Sequence, residues 1–490
     1  MAEHHYDVVV VGGGNAGLCA ALAAAESGKR VLVLERAPTH FRGGNSYFTG
    51  GLMRVPYTGL NDIKQLIPDL TAHEEASIEI GTYTADDFYE DLLRLSEYQC
   101  DADLADCLVN QAFPTLKWMR EKGVRFTLQF GRQAFKVGER YRFWGGAILG
   151  VVGGGVGLVD QLFDGAQKAG IEVWYGARAD HLHTDNDGKV TGVRVKKEGT
   201  YHLVKAGSVI LAAGGFEANP EMRARYLGKD WDLARVRGTP YNTGDGIRMA
   251  LEIGAQPYGH WTGCHAVAWD FNAPPYGDRK IGDLFQKHSY PLGIIVNKYG
   301  KRFVDEGADF RNYTYAKYGA EILKQPGRIA FQIFDQKVAD KLRDEYRIKE
   351  ATKAETQTIE ELAEQLEIDV QGLVKTIEEF NNAVQEGEYN PAILDGKGTK
   401  GITPPKSNWA LPIDTPPFLG FAVTCGITFT YGGLRINTQA QVLDVDGDPI
   451  PGLYACGELV GGLYYHNYPG GSGLTAGAVF GRIAGQAAAQ

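Results

Sequence analysis

Paired cysteines, an excess of basic charge and long apolar runs are all missing from this sequence of 490 residues. The six cysteines are scattered without a Cys-x-x-Cys pair, which gives no basis for a zinc site, an iron–sulfur cluster or a disulfide framework. The formal net charge of −10 argues against a nucleic-acid partner, because phosphate binding requires basic surfaces. No apolar run reaches the roughly 18 residues of a membrane span, and the polar N-terminus has no signal-peptide pattern. We therefore expect a cytoplasmic protein without a bound metal, a nucleic-acid partner or a membrane span.

The N-terminal segment predicts a βαβ unit. Residues 6–11 (YDVVVV) have the composition of a buried parallel strand, residues 18–27 that of an alanine-rich helix, and residues 30–35 (RVLVLE) that of a second strand. A glycine loop at residues 12–17 joins the first strand to the helix. This order within about 30 residues is typical of the doubly wound fold that binds dinucleotides. The predicted fold class is therefore α/β, with a Rossmann-type doubly wound domain.

The glycine loop matches the G-x-G-x-x-G fingerprint. Gly12 permits the tight turn, Gly14 lets the backbone approach a pyrophosphate, and Gly17 allows the helix to pack closely on the strand. Glu35 ends the second strand, where an acidic residue binds a pair of ribose hydroxyls. The residues of this region that we predict to bind the cofactor are Gly12, Gly14, Asn15, Ala16, Gly17, Glu35 and Arg36. The fingerprint alone does not distinguish FAD from NAD.

The middle of the chain differs in character from both ends. Residues 257–300 are rich in aromatic residues, glycine and proline, residues 335–388 are charged and helical in pattern, and residues 403–418 contain five prolines. Strands and glycine loops return over residues 429–490. We therefore predict a discontinuous cofactor-binding domain over residues 1–256 and 416–490, with an α+β capping domain for the substrate inserted over residues 257–415.

Five further motifs identify a family resemblance. They are Arg42-Gly43-Gly44-Asn45-Ser46, Leu211-Ala212-Ala213-Gly214-Gly215-Phe216, Thr243-Gly244-Asp245-Gly246, Ala455-Cys456-Gly457-Glu458 and Gly471-Ser472-Gly473-Leu474. The same motifs occur in this order in the flavoprotein family of fumarate reductases and succinate dehydrogenases. The chain resembles that family from residue 6 to residue 487.

The resemblance implies FAD as the cofactor. It is expected to be bound noncovalently, because residues 43–49 contain no histidine of the kind that attaches FAD in some members. The motif at 43–46 would approach the flavin and its ribityl phosphate, residues 177–179 would edge the adenine, and the last helix would point its positive N-terminus at the flavin. The additional cofactor-binding residues predicted in this way are Gly43, Gly44, Asn45, Ser46, Ala177, Arg178, Ala179, Ala213, Gly214, Asp245, Gly457, Glu458, Ser472, Gly473 and Leu474.

The resemblance also implies a reaction. Members of the family add or remove two hydrogens across a carbon–carbon bond beside a carbonyl or carboxylate. Residues 297–306 (NKYGKRFVDE) are similar to the family segment N-x-x-G-x-R-F-x-N-E, and Arg302 matches an arginine that serves there as the proton donor. The alternative is that Arg302 only pairs with a nearby carboxylate such as Glu306. His265 matches a substrate-binding histidine, with a hydrogen-bonded core histidine as its alternative.

Two departures from the family pattern bear on the substrate. Phe429 stands where fumarate reductases have a histidine, and Tyr468 stands where they have an arginine, so the bonds of a carboxylate clamp are lost. We therefore do not expect fumarate or succinate as the substrate. The Tyr-Pro-Gly sequence at 468–470 is similar instead to the ketosteroid dehydrogenases, in which one tyrosine polarises a carbonyl and another takes the proton. Tyr468 and Tyr290 are the candidates for those roles.

The stretch also resembles the tricarballylate dehydrogenases, whose substrate is a tricarboxylate. The candidate carboxylate partners, each with a solvated surface charge as its alternative, are Lys287, His288, Arg54, Arg140 and Arg142. The predicted function is that of an FAD-dependent dehydrogenase or reductase acting on CH–CH bonds, similar to the tricarballylate dehydrogenases. A 3-ketosteroid dehydrogenase is one alternative, and a flavin-binding redox sensor or electron-transfer subunit is another. The expected partners are a small molecule with an activated carbon–carbon bond and a separate electron donor or acceptor.

Overall fold

The computed structural model describes residues 2–143 and 146–490. Its α-helices, in chain order, are α1 (Asn15–Ala25), α2 (Leu60–Leu66), α3 (Ala72–Ser77), α4 (Ala85–Leu95), α5 (Ala102–Glu121), α6 (Phe130–Gln133), α7 (Gly154–Lys168), α8 (Pro220–Met222), α9 (Asp245–Glu252), α10 (Tyr315–Leu323), α11 (Ile359–Leu366), α12 (Val370–Ala383) and α13 (Ser472–Ala488). Within the described ranges, none of these helices combines the length and apolar character of a membrane span.

The strands follow the same chain order. They are β1 (Ala2–Val11), β2 (Val31–Leu34), β3 (Leu52–Arg54), β4 (Ile78–Glu79), β5 (Phe126–Thr127), β6 (Ala134–Val137), β7 (Arg140–Phe143), β8 (Ile148–Val151), β9 (Glu172–Trp174), β10 (Ala177–Thr184), β11 (Val190–Lys197), β12 (Thr200–Leu211), β13 (Arg235–Val236), β14 (Pro257–Asp270), β15 (Ile294–Asn297), β16 (Ala330–Phe334), β17 (Lys353–Thr356), β18 (Phe418–Leu434), β19 (Gln441–Leu443) and β20 (Pro449–Ala455).

One mixed sheet carries the N-terminal βαβ unit. Its strand order among the described residues is β10-β11-β12-β1-β2-β9, with β20 beside β12 and β19 beside β20. β1 runs parallel to both β2 and β12, whereas β10, β11 and β12 form an antiparallel meander. The valines at 8–11 are buried, as a strand covered on both faces of a parallel sheet requires. The predicted α/β class and the order of strand, glycine loop, helix and strand are confirmed.

The last helix packs directly on the first. A Cβ atom added at Gly481 would lie 2.4 Å from the Ala16 carbonyl oxygen, and one added at Gly485 would lie 2.2 Å from the Ala20 carbonyl oxygen. These glycines therefore allow α13 to approach the backbone of α1 more closely than any other residue would. Asn15 Nδ2 also donates a hydrogen bond to the Leu474 carbonyl over 2.8 Å. The N-terminus of α13 is thereby held beside the glycine loop.

A second sheet is built around the long strand β18. Its strand order is β13-β18-β16-β15, and β14 and β17 also pair with β18. The pairing of β14 with β18 is antiparallel and places His265 opposite Phe429. α11 and α12 cover this sheet through buried residues such as Leu362, Leu373 and Phe380. The sheet includes strands on both sides of the predicted insertion at 257–415, so the domain boundaries remain a prediction.

Candidate active site

A cleft runs along the carboxyl ends of β1 and β2, at the glycine loop. The predicted residues that line it are Gly12, Gly14, Asn15, Ala16, Glu35, Arg36, Gly44, Asn45, Ser46, Ala177, Arg178, Ala179, Ala213, Gly214, Asp245, Gly457 and Glu458. It is also lined by residues that the sequence analysis did not select, namely Val11, Gly13, Leu34, Ala212, Thr239, Tyr241 and Asn242. Segments that are distant in sequence thus meet in one cleft.

The glycines of the loop are required for different structural reasons. Gly12 has φ +115°, and a Cβ there would lie 2.2 Å from the Ala212 carbonyl oxygen. A Cβ on Gly17 would lie 2.0 Å from the Gly12 carbonyl oxygen, so Gly17 is needed for packing and does not line the cleft. Gly14 lines the cleft, and a Cβ there would meet only Ser46 and Gly43, at 3.5 Å or more. The backbone at Gly14 is therefore the part of the loop that is open to a pyrophosphate.

The helix that follows the loop fits an anionic group. The first turn of α1 contains no acidic residue, its N-cap residue Gly14 has no side chain, and the Asn15 N–H donates to Ser46 Oγ over 3.0 Å. The other N–H groups of such a first turn and the helix dipole favour phosphate. Beside the glycine loop, Glu35 is buried and accepts a hydrogen bond from the Ala37 N–H over 2.8 Å. Burial raises the pKa of Glu35, while backbone donors oppose that rise.

Arg36, Arg178 and Asp245 form one ion-pair cluster beside the predicted adenine edge. Arg36 Nη1 lies 2.8 Å from Asp245 Oδ2, and Arg178 Nη2 lies 2.8 Å from Asp245 Oδ1. The Asp245 carboxylate thus joins the end of β2 to the start of β10. All three residues line the cleft. Their ion pairs therefore hold three segments that are distant in sequence together at this edge.

A buried carboxyl pair holds the loop that contains Asn45. Asn45 Nδ2 and Asn242 Nδ2 each donate to Glu217 Oε1 over 2.7 Å, and Glu458 Oε1 accepts from the Thr430 N–H over 3.0 Å. Burial raises the pKa of Glu217 well above its ordinary value, and the neighbouring Glu458 carboxylate raises it further. Glu217 was not selected from the sequence, because its role depends on contacts with residues that are distant along the chain.

A second cavity of about 170 Å³ adjoins this cleft. The two share Asn15, Ala16, Asn45, Ser46, Gly457 and Glu458. One side of the second cavity is formed by the start of α13 with Gly473 and Leu474. Ser472 does not line it, and its hydroxyl instead donates to the Pro469 carbonyl over 2.7 Å. The cavity therefore lies where a substrate would meet a flavin held in the adjoining cleft.

Aromatic side chains surround His265 in this second cavity. The His265 ring stacks on Phe429 with centroids 5.1 Å apart and meets Tyr315 and Tyr468 edge to face, each at 5.0 Å. Neither ring nitrogen of His265 has a hydrogen-bond partner among the described residues. Burial lowers the pKa of His265 well below its ordinary value, and Arg237 lowers it further. The imidazole is therefore neutral near pH 7, with one donor and one acceptor available to a substrate.

Tyr468 is fixed by the backbone that begins the last helix. Its phenol oxygen accepts hydrogen bonds from the Gly471 N–H over 2.9 Å and, more weakly, from the Gly473 N–H over 3.5 Å. Because these donors occupy the lone pairs, the group that Tyr468 can offer to another molecule is its own proton. The side chain is buried and lines the cavity, and its carbonyl-polarising role stays a prediction.

Arginines also line this cavity. Arg237 Nη2 lies 2.6 Å from Asp283 Oδ1, and Arg132 Nη2 lies 3.4 Å from Asp283 Oδ2. Arg311 is buried and lines the same cavity beside His288. Burial lowers the pKa of Arg311 to about 9, with further lowering by the positive charges of Arg343 and Arg132. Burial and these arginines also lower the pKa of His288 well below its ordinary value.

The structure does not bring Arg302 or Tyr290 to this cavity. Arg302 Nη2 lies 2.5 Å from Glu306 Oε2, and its Nη1 donates to the Pro404 carbonyl over 2.8 Å. The guanidinium therefore pairs with a nearby carboxylate, as in the alternative interpretation. The Tyr290 hydroxyl is 2.6 Å from Thr314 Oγ1, inside an apolar cluster. The proton-transfer roles of these two residues stay predictions.

The other basic candidates are also separated by the fold. His288 lines the cavity, but Lys287 is buried behind it, 3.3 Å from Asp270 Oδ2. Arg54 is buried and donates to the Gly470 carbonyl over 2.8 Å, which supports the turn before α13. Arg140 is exposed, and Arg142 pairs with Glu79 at the surface.

Arg132, Arg237, Arg311 and Tyr315 were missed in the sequence analysis. Arg311 follows Arg302 in the same segment, and the motif comparison selected the earlier arginine. The sequence does contain one signal for Arg311, because it is a second arginine shortly after the family segment at 297–306. For Arg132 and Arg237 there was no such signal, because both reach the cavity from segments outside any motif.

The chain is similar in sequence to known flavoproteins. A family model described as FAD binding domain matches residues 7–474. The probable fumarate reductase Ifc3 of Shewanella frigidimarina (strain NCIMB 400) is 33% identical over 490 residues, which cover 99% of this chain and 74% of that protein. The vinyl phenol reductase of Lactiplantibacillus plantarum is 29% identical over 530 residues, which cover 100% of this chain and 98% of that protein.

A solved structure extends the likeness to three dimensions. The open conformation of a flavocytochrome c3 fumarate reductase has 29% sequence identity and a TM-score of 0.73, covering 99% of this chain and 78% of that chain. The predicted family, cofactor and enzyme class are confirmed. This chain belongs to the FAD binding domain family, among the flavoproteins related to fumarate reductase, and is an FAD-dependent oxidoreductase that acts on carbon–carbon bonds.

Proposed function

We propose that this flavoenzyme adds or removes two hydrogens across a carbon–carbon bond conjugated with the carboxylate of a planar, aromatic acid. The observation that carries the proposal is that aromatic and cationic side chains line the same cavity. Phe429, Tyr464 and Tyr468 supply the aromatic surface, and Arg311 is one of three arginines that supply positive charge. Aromatic faces favour a flat conjugated ligand, and arginine favours a carboxylate.

Arg311 is the proposed proton donor in the reducing direction. Bound FAD supplies the hydride chemistry at one carbon of the double bond. Arg311 gives a proton to the neighbouring carbon, so that the double bond becomes a single bond. An arginine pKa above 12 is a poor match for this role. The value of about 9 for the pKa of Arg311 is much closer to a working pH, where general acids are most effective.

Tyr468 and His265 are proposed to stabilise the charge that develops on the substrate oxygen. The phenol of Tyr468 offers its proton, because its oxygen already accepts from the Gly471 N–H. The neutral imidazole of His265 offers a second N–H beside it. Two positioned donors of this kind act as an oxyanion hole for an enolate-like transition state. In this proposal Tyr468 keeps the polarising role predicted from the sequence, while Arg311 replaces Arg302.

The proposed substrate class is an arylacrylate. The tricarboxylate expected from the sequence would bind to the arginines of the cavity but would leave its aromatic side chains without a role. A relative of nearly the same length is named vinyl phenol reductase, which supports an aryl group next to the reacting double bond. The electrons are proposed to come from, or pass to, a separate donor or acceptor.

Anaerobic stopped-flow measurements at the flavin absorbance test the function. Reduced enzyme is mixed separately with cinnamate, fumarate, cis-aconitate and a 1,4-dien-3-one steroid. We expect cinnamate to reoxidise the flavin fastest. Faster reoxidation by cis-aconitate would favour the tricarballylate type, and reoxidation by the steroid alone would favour a ketosteroid dehydrogenase. If none of the four reacts, the proposal fails and a sensor or electron-transfer subunit gains support.

A further inference from the structure

We propose that a second anion-binding subsite, built around Arg343, lies beyond Arg311 and holds an additional anionic group of the substrate. This inference rests on the proposed function, which places the oxygen of the acrylate at His265 and Tyr468 and the reacting double bond beside Arg311. It narrows the substrate class to extended dianions, in which an aromatic linker joins the acrylate to a distal carboxylate.

A third cavity of about 70 Å³ provides the space. It shares Arg132, His288 and Arg311 with the active-site cavity, so a single layer of side chains lies between the two. The other residues that line this distal cavity are largely apolar or aromatic, together with Arg343; they include Phe135, Leu292, Phe310, Pro391 and Trp409. The combination suits an aromatic body with an anionic end.

Arg343 has unused hydrogen-bonding capacity. Its side chain is only 9% exposed, and Nε lies 3.2 Å from Glu345 Oε1. Nη1 and Nη2 have no hydrogen-bond partner among the described residues. Leaving the donors of a buried guanidinium unsatisfied is costly, and a carboxylate that accepts two parallel bonds would satisfy both.

The charges around the two cavities also favour an anion. Four arginines, Arg132, Arg237, Arg311 and Arg343, line them, and two carboxylates, Asp283 and Glu345, pair with members of this group. Arg343 is the second cause, after burial, of the lowered pKa of Arg311. An anion on Arg343 would screen that repulsion, so binding at the distal cavity and protonation of Arg311 would reinforce each other.

Two compounds that share one acrylate test the subsite. These are 4-carboxycinnamate, which carries the second carboxylate, and 4-carbamoylcinnamate, which has nearly the same shape without the charge. For the wild-type holoenzyme we expect kcat/KM to be at least tenfold higher for the dianion. In Arg343→Gln the ratio of the two kcat/KM values should fall close to one, and Arg343→Lys should restore part of it.

Arg347→Gln is the matched control, because Arg347 is an exposed arginine on the same segment that pairs with Asp344. Its ratio should equal that of the wild type. Equal kcat/KM values for the two compounds in the wild type would overturn the subsite without any variant. A ratio that persists in Arg343→Gln would also overturn it. Stimulation of 4-carbamoylcinnamate turnover by inorganic phosphate in the wild type, but not in Arg343→Gln, would assign the cavity to a free anion and overturn the substrate claim.

Binding separates this inference from the proposed function. The dissociation constants of both compounds are measured on the oxidised holoenzyme through the shift of the flavin absorbance, which requires no turnover. Tighter binding of the dianion to the wild type but not to Arg343→Gln would support the subsite even if neither compound reoxidised the flavin. In that case the proposed function alone would fail.

Discussion

His265 and Phe429 stack face to face across two antiparallel strands, with ring centroids 5.1 Å apart and planes inclined by 12°. Phe429 also meets Tyr464 and Tyr468 edge to face, at 5.8 Å and 5.3 Å. Phe429 therefore connects the ring of His265 to the rings of both tyrosines. A charged or clamping side chain at this position would remove that continuous surface.

Replacing Phe429 by leucine should weaken the binding of aromatic substrates. Loss of ring contacts costs about 0.5–1.5 kcal/mol, which is roughly a two- to tenfold rise in Kd. Titration of the oxidised enzyme with cinnamate, compared with acrylate, measures the effect. The Kd for acrylate should change less, because acrylate has no ring. An equal change for both compounds would mean that Phe429 only supports the fold.

Replacing Tyr468 by phenylalanine should lower turnover while FAD stays bound. In the proposed mechanism the change removes one donor to the developing oxyanion, a loss that costs roughly 10²–10³-fold in kcat in comparable sites. The rate is followed by flavin reoxidation, and the FAD content by absorbance. Tyr454→Phe is the control, because Tyr454 is a partly buried tyrosine bonded to the Ala487 carbonyl, outside both cavities. An unchanged rate in Tyr468→Phe would assign the phenol to packing.

Replacing Arg311 by glutamine should lower the reducing rate by about 10²–10⁴-fold. The wild-type rate should fall as the pH rises through the pKa of about 9, because only the protonated guanidinium can donate. Arg311→Lys should move this fall to lower pH, because burial beside cations lowers a lysine pKa from a lower starting value. The pH dependence of single-turnover reoxidation checks both statements. A wild-type profile identical to that of Arg311→Gln would remove Arg311 from the proton-transfer step.

Replacing Arg302 by methionine should affect stability rather than chemistry. Its guanidinium and Glu306 are both buried, with side chains 5% and 0% exposed. Breaking such a pair leaves a buried carboxylate and costs about 3–5 kcal/mol of unfolding free energy. The exposed pair Arg225–Glu221 has the same i,i+4 spacing, so Arg225→Met should cost no more than about 1 kcal/mol. Urea titrations give both values, and a large loss of turnover per folded Arg302→Met molecule would restore the catalytic role.

Replacing Gly481 by alanine should weaken FAD binding. The added methyl group would lie 2.4 Å from the Ala16 carbonyl oxygen, so α13 would have to move away from the glycine loop. Overpacking of this kind costs about 1–3 kcal/mol. Gly59→Ala is the control, because nothing lies within 4 Å of a Cβ at that position. FAD affinity is measured by adding FAD back to the apoprotein, and equal affinity in both variants would contradict the expected coupling.

The sequence by itself determined the cofactor region. The strand, the glycine loop and the helix at residues 6–27 are local features, because turn geometry and helix start depend on neighbouring residues. Gly12, Gly14 and Glu35 could therefore be assigned from their spacing alone, and each lies at the cleft. The family motifs extended this assignment to Asn45, which also lines the cleft.

Only the tertiary structure decided which basic and aromatic side chains line the candidate substrate cavity. Arg302 and Arg311 share one segment and one chemistry, but a buried Glu306 holds the first while the fold directs the second to the cavity. The pairing of His265 with Phe429 depends on the register between strands that are distant along the chain. Such register is set by the packing of whole sheets rather than by local propensity, and no sequence motif encodes it.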